Sequence, residues 1–146
     1  MSSIDEWWPQ RAIDLLTRAG WSPGRAVDVA GWRAELAEKG FVMHEAAEQV
    51  LTEFGGLLLE ADGAGVRSGR CTVEVDPLYG ASLRPWLDEL GAKAGARDLY
   101  PLGEVDWGHA ILAIDPDGVV FKVWGPGVTK VGKGRDALVR LTEGDY

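Results

Sequence analysis

The stretch Ala110-Ile111-Leu112-Ala113-Ile114, then Asp115-Pro116-Asp117-Gly118, then Val119-Val120-Phe121-Lys122-Val123-Trp124 predicts a β-hairpin. Both flanking runs are rich in β-formers. Between them proline fixes the entry to the turn and glycine supplies the positive φ that a tight reversal needs. A hairpin pairs its strands antiparallel, so this one segment already argues against a sheet built from repeated βαβ units. Upstream, a shorter strand is expected around Gly103 to Trp107. Downstream, Gly127-Val128-Thr129-Lys130-Val131-Gly132-Lys133 reads as a flexible Gly/Lys loop. It leads into a last helix, Arg135 to Leu141, that ends near Gly144.

Further from the hairpin the apolar spacing turns helical. Trp8, Ala12, Leu15, Leu16 and Ala19 share one helical face, with Pro9 tolerated in the first turn and Gly20 ending it. Val29, Trp32 and Leu36 make a second stripe, with Asp28 as N-cap and Gly40 as stop. Ala47, Val50, Leu51 and Phe54 make a third, halted by Gly55-Gly56. Leu57 to Glu60 and Cys71 to Val75 read as strands, the latter alternating apolar and polar. Ser82 is the expected cap of a helix burying Leu83, Trp86, Leu87, Leu90 and Ala94. The order is three helices, two strands, a helix, about three strands and a helix. It predicts a single α+β domain over 1–146, with a mainly antiparallel sheet of about five strands and about five helices around it.

Composition narrows the function. The formal charge is −8, which argues against direct binding to nucleic acid or to anionic membranes. Residues 1–62 hold eleven acidic and five basic side chains, whereas residues 118–146 hold three acidic and five basic. That asymmetry suits either plain solubility or an acidic face for a basic partner. No apolar run is long enough to span a bilayer, and the acidic start Ser2-Ser3-Ile4-Asp5-Glu6 is unlike a signal peptide, so a cytoplasmic protein is expected. The single cysteine, Cys71, excludes an internal disulfide and reads as a small buried strand residue.

Motifs for chemistry fail on inspection. Asp115-x-Asp117-Gly118 opens like a calcium loop, but Val119 to Lys122 follow and no closing glutamate is present. Gly127 to Lys133 has the spacing of a phosphate-binding loop, yet Gly134 stands where a magnesium-binding hydroxyl is required. His44 and His109 are the only histidines, too few with one cysteine for a zinc site. His109 has Glu104 and Asp106 nearby as partners for a general base, but no nucleophile motif accompanies it. No catalytic residue, cofactor or metal is expected. Trp8, Trp32 and Trp86 belong to apolar stripes. Trp107, in Glu104-Val105-Asp106-Trp107-Gly108, either packs under the hairpin or anchors an interface among acids.

Several segments together resemble a known family. Leu16-x-x-Ala19-Gly20-Trp21-Ser22-Pro23-Gly24-Arg25 and Phe54-Gly55-Gly56-Leu57 are followed by Val75-Asp76-Pro77, Pro101-Leu102-Gly103-Glu104 and Ile114-Asp115-x-x-Gly118. Gly132, Ala137-Leu138 and Gly144 complete the order. The pattern resembles the SUKH superfamily, and within it the third immunity-protein subfamily of bacterial polymorphic toxin systems. The resemblance covers nearly the whole chain. It implies a cytoplasmic antidote that binds a cognate toxin and blocks it without catalysis or cofactor. The toxins concerned are often nucleases or deaminases with basic surfaces, which an acidic protein would cover. The wider superfamily also implies a second possibility, a regulatory or secretion-associated adaptor. The resemblance carries over no partner-facing residues, so Glu104, Asp106 and Trp107 are the expected contact on their own local character. Oligomeric state is not legible.

Overall fold

The computed structural model describes residues 4–146. Its elements run α1 (Gln10–Ala19), α2 (Ala30–Glu38), α3 (Glu45–Phe54), β1 (Leu58–Leu59), β2 (Val73–Glu74), a 3₁₀ turn (Pro77–Gly80) and α4 (Arg84–Lys93). Then come β3 (Tyr100–Val105), β4 (Ala110–Ile114), β5 (Val119–Trp124), β6 (Gly127–Lys133) and α5 (Asp136–Glu143). The six strands form one sheet in the order β1-β2-β3-β4-β5-β6, every neighbour antiparallel. This is the α+β class expected, with five α-helices and one more strand than the sequence suggested.

The deciding hairpin forms with the predicted bounds, and Asp115 explains its turn. That side chain is buried, and its Oδ1 accepts the backbone N–H groups of Asp117 (3.0 Å) and Val119 (2.9 Å). Gly118 takes φ +90°. The aspartate is therefore a turn brace, an Asx arrangement that gives the reversal its hydrogen bonds.

Six readings need correction, two of them at helix starts: Trp8 precedes α1, whose N-cap is Pro9, and the N-cap of α2 is Val29 and not Asp28, although the Asp28 carboxylate accepts the Ala30 N–H at 2.9 Å. Gly127–Lys133 is strand β6, paired to β5 along its length. Its glycines answer to neighbours: a Cβ on Gly127 would strike the Trp124 ring, and one on Gly132 would press on Arg140 and Ala137 of α5. Apolar alternation is lost where helix and indole need the room, so the strand does not announce itself. The strand before the hairpin starts at Tyr100 and stops at Val105, leaving Trp107 in the following turn. Ser82 makes no cap; α4 begins after Leu83, with Pro85 in its first turn. Ala94 is exposed, and Gly91 takes its place in the buried stripe, against Leu99.

Residues in register share a face of the sheet. Leu59, Val73, Val105 and Ala110 form one buried row, with Leu112, Ile114 and Val120 on the same face. α5 packs there over Gly132, and α1 joins α5 through Arg11–Glu143 (2.8 Å) and the Trp8 indole N–H to Asp136 (3.0 Å). α3 is fastened by His44. Its Nδ1 accepts the Ala47 N–H as an N-cap, and its other nitrogen, Nε2, lies 3.1 Å from the Ile114 carbonyl and so donates to it. The opposite face receives the 3₁₀ turn, where Gly80 lies against Pro101 and Ile111.

The two N-terminal sequence segments singled out above meet in space. Trp21 stacks on Phe54, and its indole N–H donates to the buried Glu53 carboxylate at 2.9 Å. Arg25 donates to the carbonyls of Glu53 and Gly55. Gly20 sits against Leu57. From α5's start, Arg135 reaches the same Glu53 at 2.8 Å while lying over the Trp8 ring at 4.5 Å. The spacing of those residues along the chain is thus the spacing of one buried polar network that ties α1, α3 and α5.

Candidate protein-binding surface

At the far end of β3 the backbone turns through three consecutive left-handed residues, Asp106 (φ +50°), Trp107 (φ +57°) and Gly108 (φ +92°). Glycine adopts this region freely; a tryptophan does not, and bulky residues held there are outliers that cluster at functional sites. Asp106 shows what holds the turn. Its N–H donates to the Thr72 carbonyl (2.8 Å), and its Oδ1 accepts the Thr72 N–H (2.9 Å), locking the turn onto the segment leading into β2. Trp107 is left projecting with 64% of its surface exposed, and the packed alternative considered for it does not hold.

Beside the turn the sheet presents acids. Glu104 stands directly opposite Glu74 on β2, and both are half-buried. Like charges in such a cross-strand pair repel. Among the described residues no cation pairs with either. Burial, followed by the charges of Glu74 and Asp76, pushes the Glu104 carboxyl above its ordinary range. Tyr79, 42% exposed, comes from the 3₁₀ turn and donates its hydroxyl to Glu74 at 3.1 Å. Gly108 brings the turn against Glu104: a Cβ there would lie 3.4 Å from its Oε2. Glu104, Asp106 and Trp107 lie together at the end of β3, with Glu74, Asp76 and Tyr79 beside them. Glu74 was visible as the polar phase of the Cys71–Val75 alternation; its pairing opposite Glu104 depends on register, which the sequence does not state.

A measurable consequence follows for the free protein. A carboxyl whose folded pKa is raised binds its proton more tightly when folded, so the wild type gains relative stability as pH falls and loses it as pH rises. Glu104→Gln is expected to raise the melting temperature at pH 7. The advantage should shrink as pH drops towards and below the ordinary value of 4.5. Melts at the two pH values check this, and an unchanged or lower melting temperature at pH 7 contradicts it.

The other candidates for chemistry are placed elsewhere. His109 is exposed, and its backbone N–H bonds the Asp106 carbonyl. Cys71 is buried with its thiol 3.2 Å from the Tyr146 hydroxyl, and burial pushes it above the usual thiol range, a setting for an unreactive sulfur. Among the described residues there is no cluster of three or more His, Cys, Asp or Glu side chains suited to a metal, and no helix long and apolar enough to cross a membrane.

A concavity lies near the opposite end of the strands, at the β4–β5 turn. It is an open cleft of about 1000 Å³ between the first turns of α3, the Pro116–Gly118 turn, the loop entering α5 and the Gly24–Ala26 segment.

A family model described as SUKH-3 immunity protein matches residues 8–144. No curated protein and no solved structure matches the chain.

Proposed function

Because the chain belongs to the SUKH-3 immunity protein family, we propose that it binds a cognate bacterial toxin in the cytoplasm and neutralises it by covering the toxin's working surface. The observation that carries the reading is the exposed Trp107, held in a strained turn beside the unneutralised Glu74–Glu104 pair. A large aromatic anchor next to desolvated acids is the composition of an interface hot spot for a basic protein. Glu104 and Trp107 make the contact in this proposal, and Asp106 both braces the turn and adds to the negative field.

The toxin is proposed to be a basic nuclease or deaminase. Four carboxylates, Glu74, Asp76, Glu104 and Asp106, occupy the patch, and a protein that grips phosphates offers the complementary charge. Long-range attraction speeds encounter, while the buried aromatic contact sets residence time. The mechanism is occlusion and calls on no catalytic group of this chain.

The test is affinity capture of the tagged protein from its native cells, followed by growth rescue. The expected result is a one-to-one complex with a basic toxin domain that is inactive while bound and harmless in cells that co-express this protein. Capture of a regulatory or secretion complex, with no rescue against any toxin, would overturn the proposal.

A further inference from the structure

The turn that presents Trp107 is left-handed at two residues that are not glycine, and strain of that kind persists only where the surroundings over-determine it. Both hydrogen bonds that Asp106 makes across to the neighbouring segment end on one residue, Thr72. The Thr72 carbonyl accepts the Asp106 N–H at 2.8 Å, and the Thr72 N–H donates to Asp106 Oδ1 at 2.9 Å. Within the turn the His109 N–H reaches the Asp106 carbonyl at 3.3 Å, a longer bond. What fixes Thr72 therefore fixes the turn.

Thr72 is a buried polar residue in the segment entering β2. Its hydroxyl donates to the Ala61 carbonyl at 2.9 Å and accepts the Ala61 N–H at 3.1 Å. The β1–β2 ladder ends at the Leu59–Val73 pair, and Thr72 lies just beyond it. One side-chain oxygen thus does for Ala61 what an opposite backbone would do inside a ladder. Thr72 stands between two segments: its backbone holds the end of β3, and its hydroxyl holds the chain leaving β1. For strand preference and shape alone valine would serve as well. Ala61 makes the difference, because it is buried and its backbone groups take their bonds from the Thr72 hydroxyl.

We infer that Thr72 is a positioning residue for the interface: through its hydroxyl it fixes the segment on which Asp106 locks, and so holds Trp107 in its projecting conformation before a partner arrives. The part of this that concerns binding rests on the proposed toxin reading; the hold on the turn does not. Without the hydroxyl, the Ala61 N–H and carbonyl are left buried and unpaired. The chain then shifts to bring them to water and draws the Thr72 backbone away from Asp106. Trp107 relaxes to a commoner backbone conformation, and the partner has to order it again on binding, at a cost in affinity.

Native-state hydrogen exchange of the ¹⁵N-labelled full chain, in urea rising towards but below the unfolding transition, tests the coupling without any substitution. The amides of Ala61, Thr72 and Asp106 are expected to open as one unit with a common urea dependence. An Asp106 amide that opens alone, more readily than the other two, would overturn the inference. Two variants supply the second reading. Thr72→Val should speed exchange at Asp106 about tenfold relative to the fully buried Leu112 amide, which reports any global loss. It should also lower the Trp107 amide order parameter from about 0.85 to below about 0.6. Thr72→Ser keeps the oxygen and should stay within about twofold of wild type in exchange. An unchanged Asp106-to-Leu112 ratio in the valine variant, or a serine variant as loose as the valine one, would also overturn it. In cells, at equal soluble levels, the serine variant should rescue growth as the wild type does and the valine variant less well. Equal rescue by all three overturns the role in binding. A wild type that rescues against no toxin, with the exchange results as expected, faults the toxin reading and leaves the hold of Thr72 on the turn standing.

Discussion

Replacing Gly103 with alanine is expected to destabilise the protein by about 3 kcal/mol, at or above the upper range for overpacking a filled core. Gly103 lies in β3 at the register shift between Pro101 and Gly103. A Cβ built there would run into the Glu74 carbonyl and press on the Glu74 carbonyl carbon and Val75 Cα. Those are backbone atoms of the neighbouring strand and its continuation, and they cannot swing aside as a long side chain can. Gly103 has no left-handed φ, so the penalty comes from steric exclusion and not from conformational preference. Urea denaturation with a tryptophan fluorescence readout measures it. Gly31→Ala supplies the control: nothing lies within 4 Å of a Cβ there, the site is inside α2, and a gain of about 0.5–1 kcal/mol is expected. A Gly103→Ala protein within 1 kcal/mol of wild type would mean that β2 and β3 are not held so closely.

That close approach bears on the proposed interface, because β2 and β3 carry Glu74 and Glu104 at their spacing. The ladder between β2 and β3 has two residues in register, and β1 pairs with β2 on its other side. Gly103, Asp106 and the Thr72 backbone hold the acidic pair together from either side. The fold tolerates a repulsive pair there because surrounding contacts, not the pair itself, supply the stability. In the proposed interface, that repulsion is stability given up in the free protein for binding.

How far the sequence could be read depended on whether a residue's reason was local. The Asp-Pro-Asp-Gly turn, the three helical stripes and the Gly20 and Gly144 stops were legible because turn chemistry and period act over a few residues. β6 was not, because Gly127 and Gly132 are glycine for the sake of Trp124 and α5, neighbours across space. α4's boundary was misread for a similar reason: Pro85 starts the helix as an early-turn proline, and Ser82 lies one residue too far out to cap it. For the site, Glu104, Asp106 and Trp107 could be picked out as acids flanking an aromatic. Glu74 and Tyr79 could not, since a register and a 3₁₀ turn bring them there. The cleft draws on five separated segments and left no mark in any single one.

Trp107 offers the sharpest separation of interface from structure. Trp107→Ala is expected to weaken the toxin complex by at least 2 kcal/mol, about a 30-fold rise in Kd, the range of an aromatic hot spot. Its stability should hardly change, since the ring is 64% exposed and little packing is lost. Trp107→Gly should lose as much affinity for the same reason. It differs in one respect: glycine adopts φ +57° without a Cβ penalty, so relief of about 1 kcal/mol is expected, partly offset by glycine's extra freedom in the unfolded chain. A loss of binding common to both variants, with a stability gain in the glycine variant alone, is a signature that neither misfolding nor lost packing can produce. Calorimetric titration against the captured toxin and parallel denaturation curves read the two quantities. If the alanine variant binds as the wild type does, Trp107 is no anchor and the toxin sits on another face. If both variants unfold more readily, the ring is structural and its strain has some other cause.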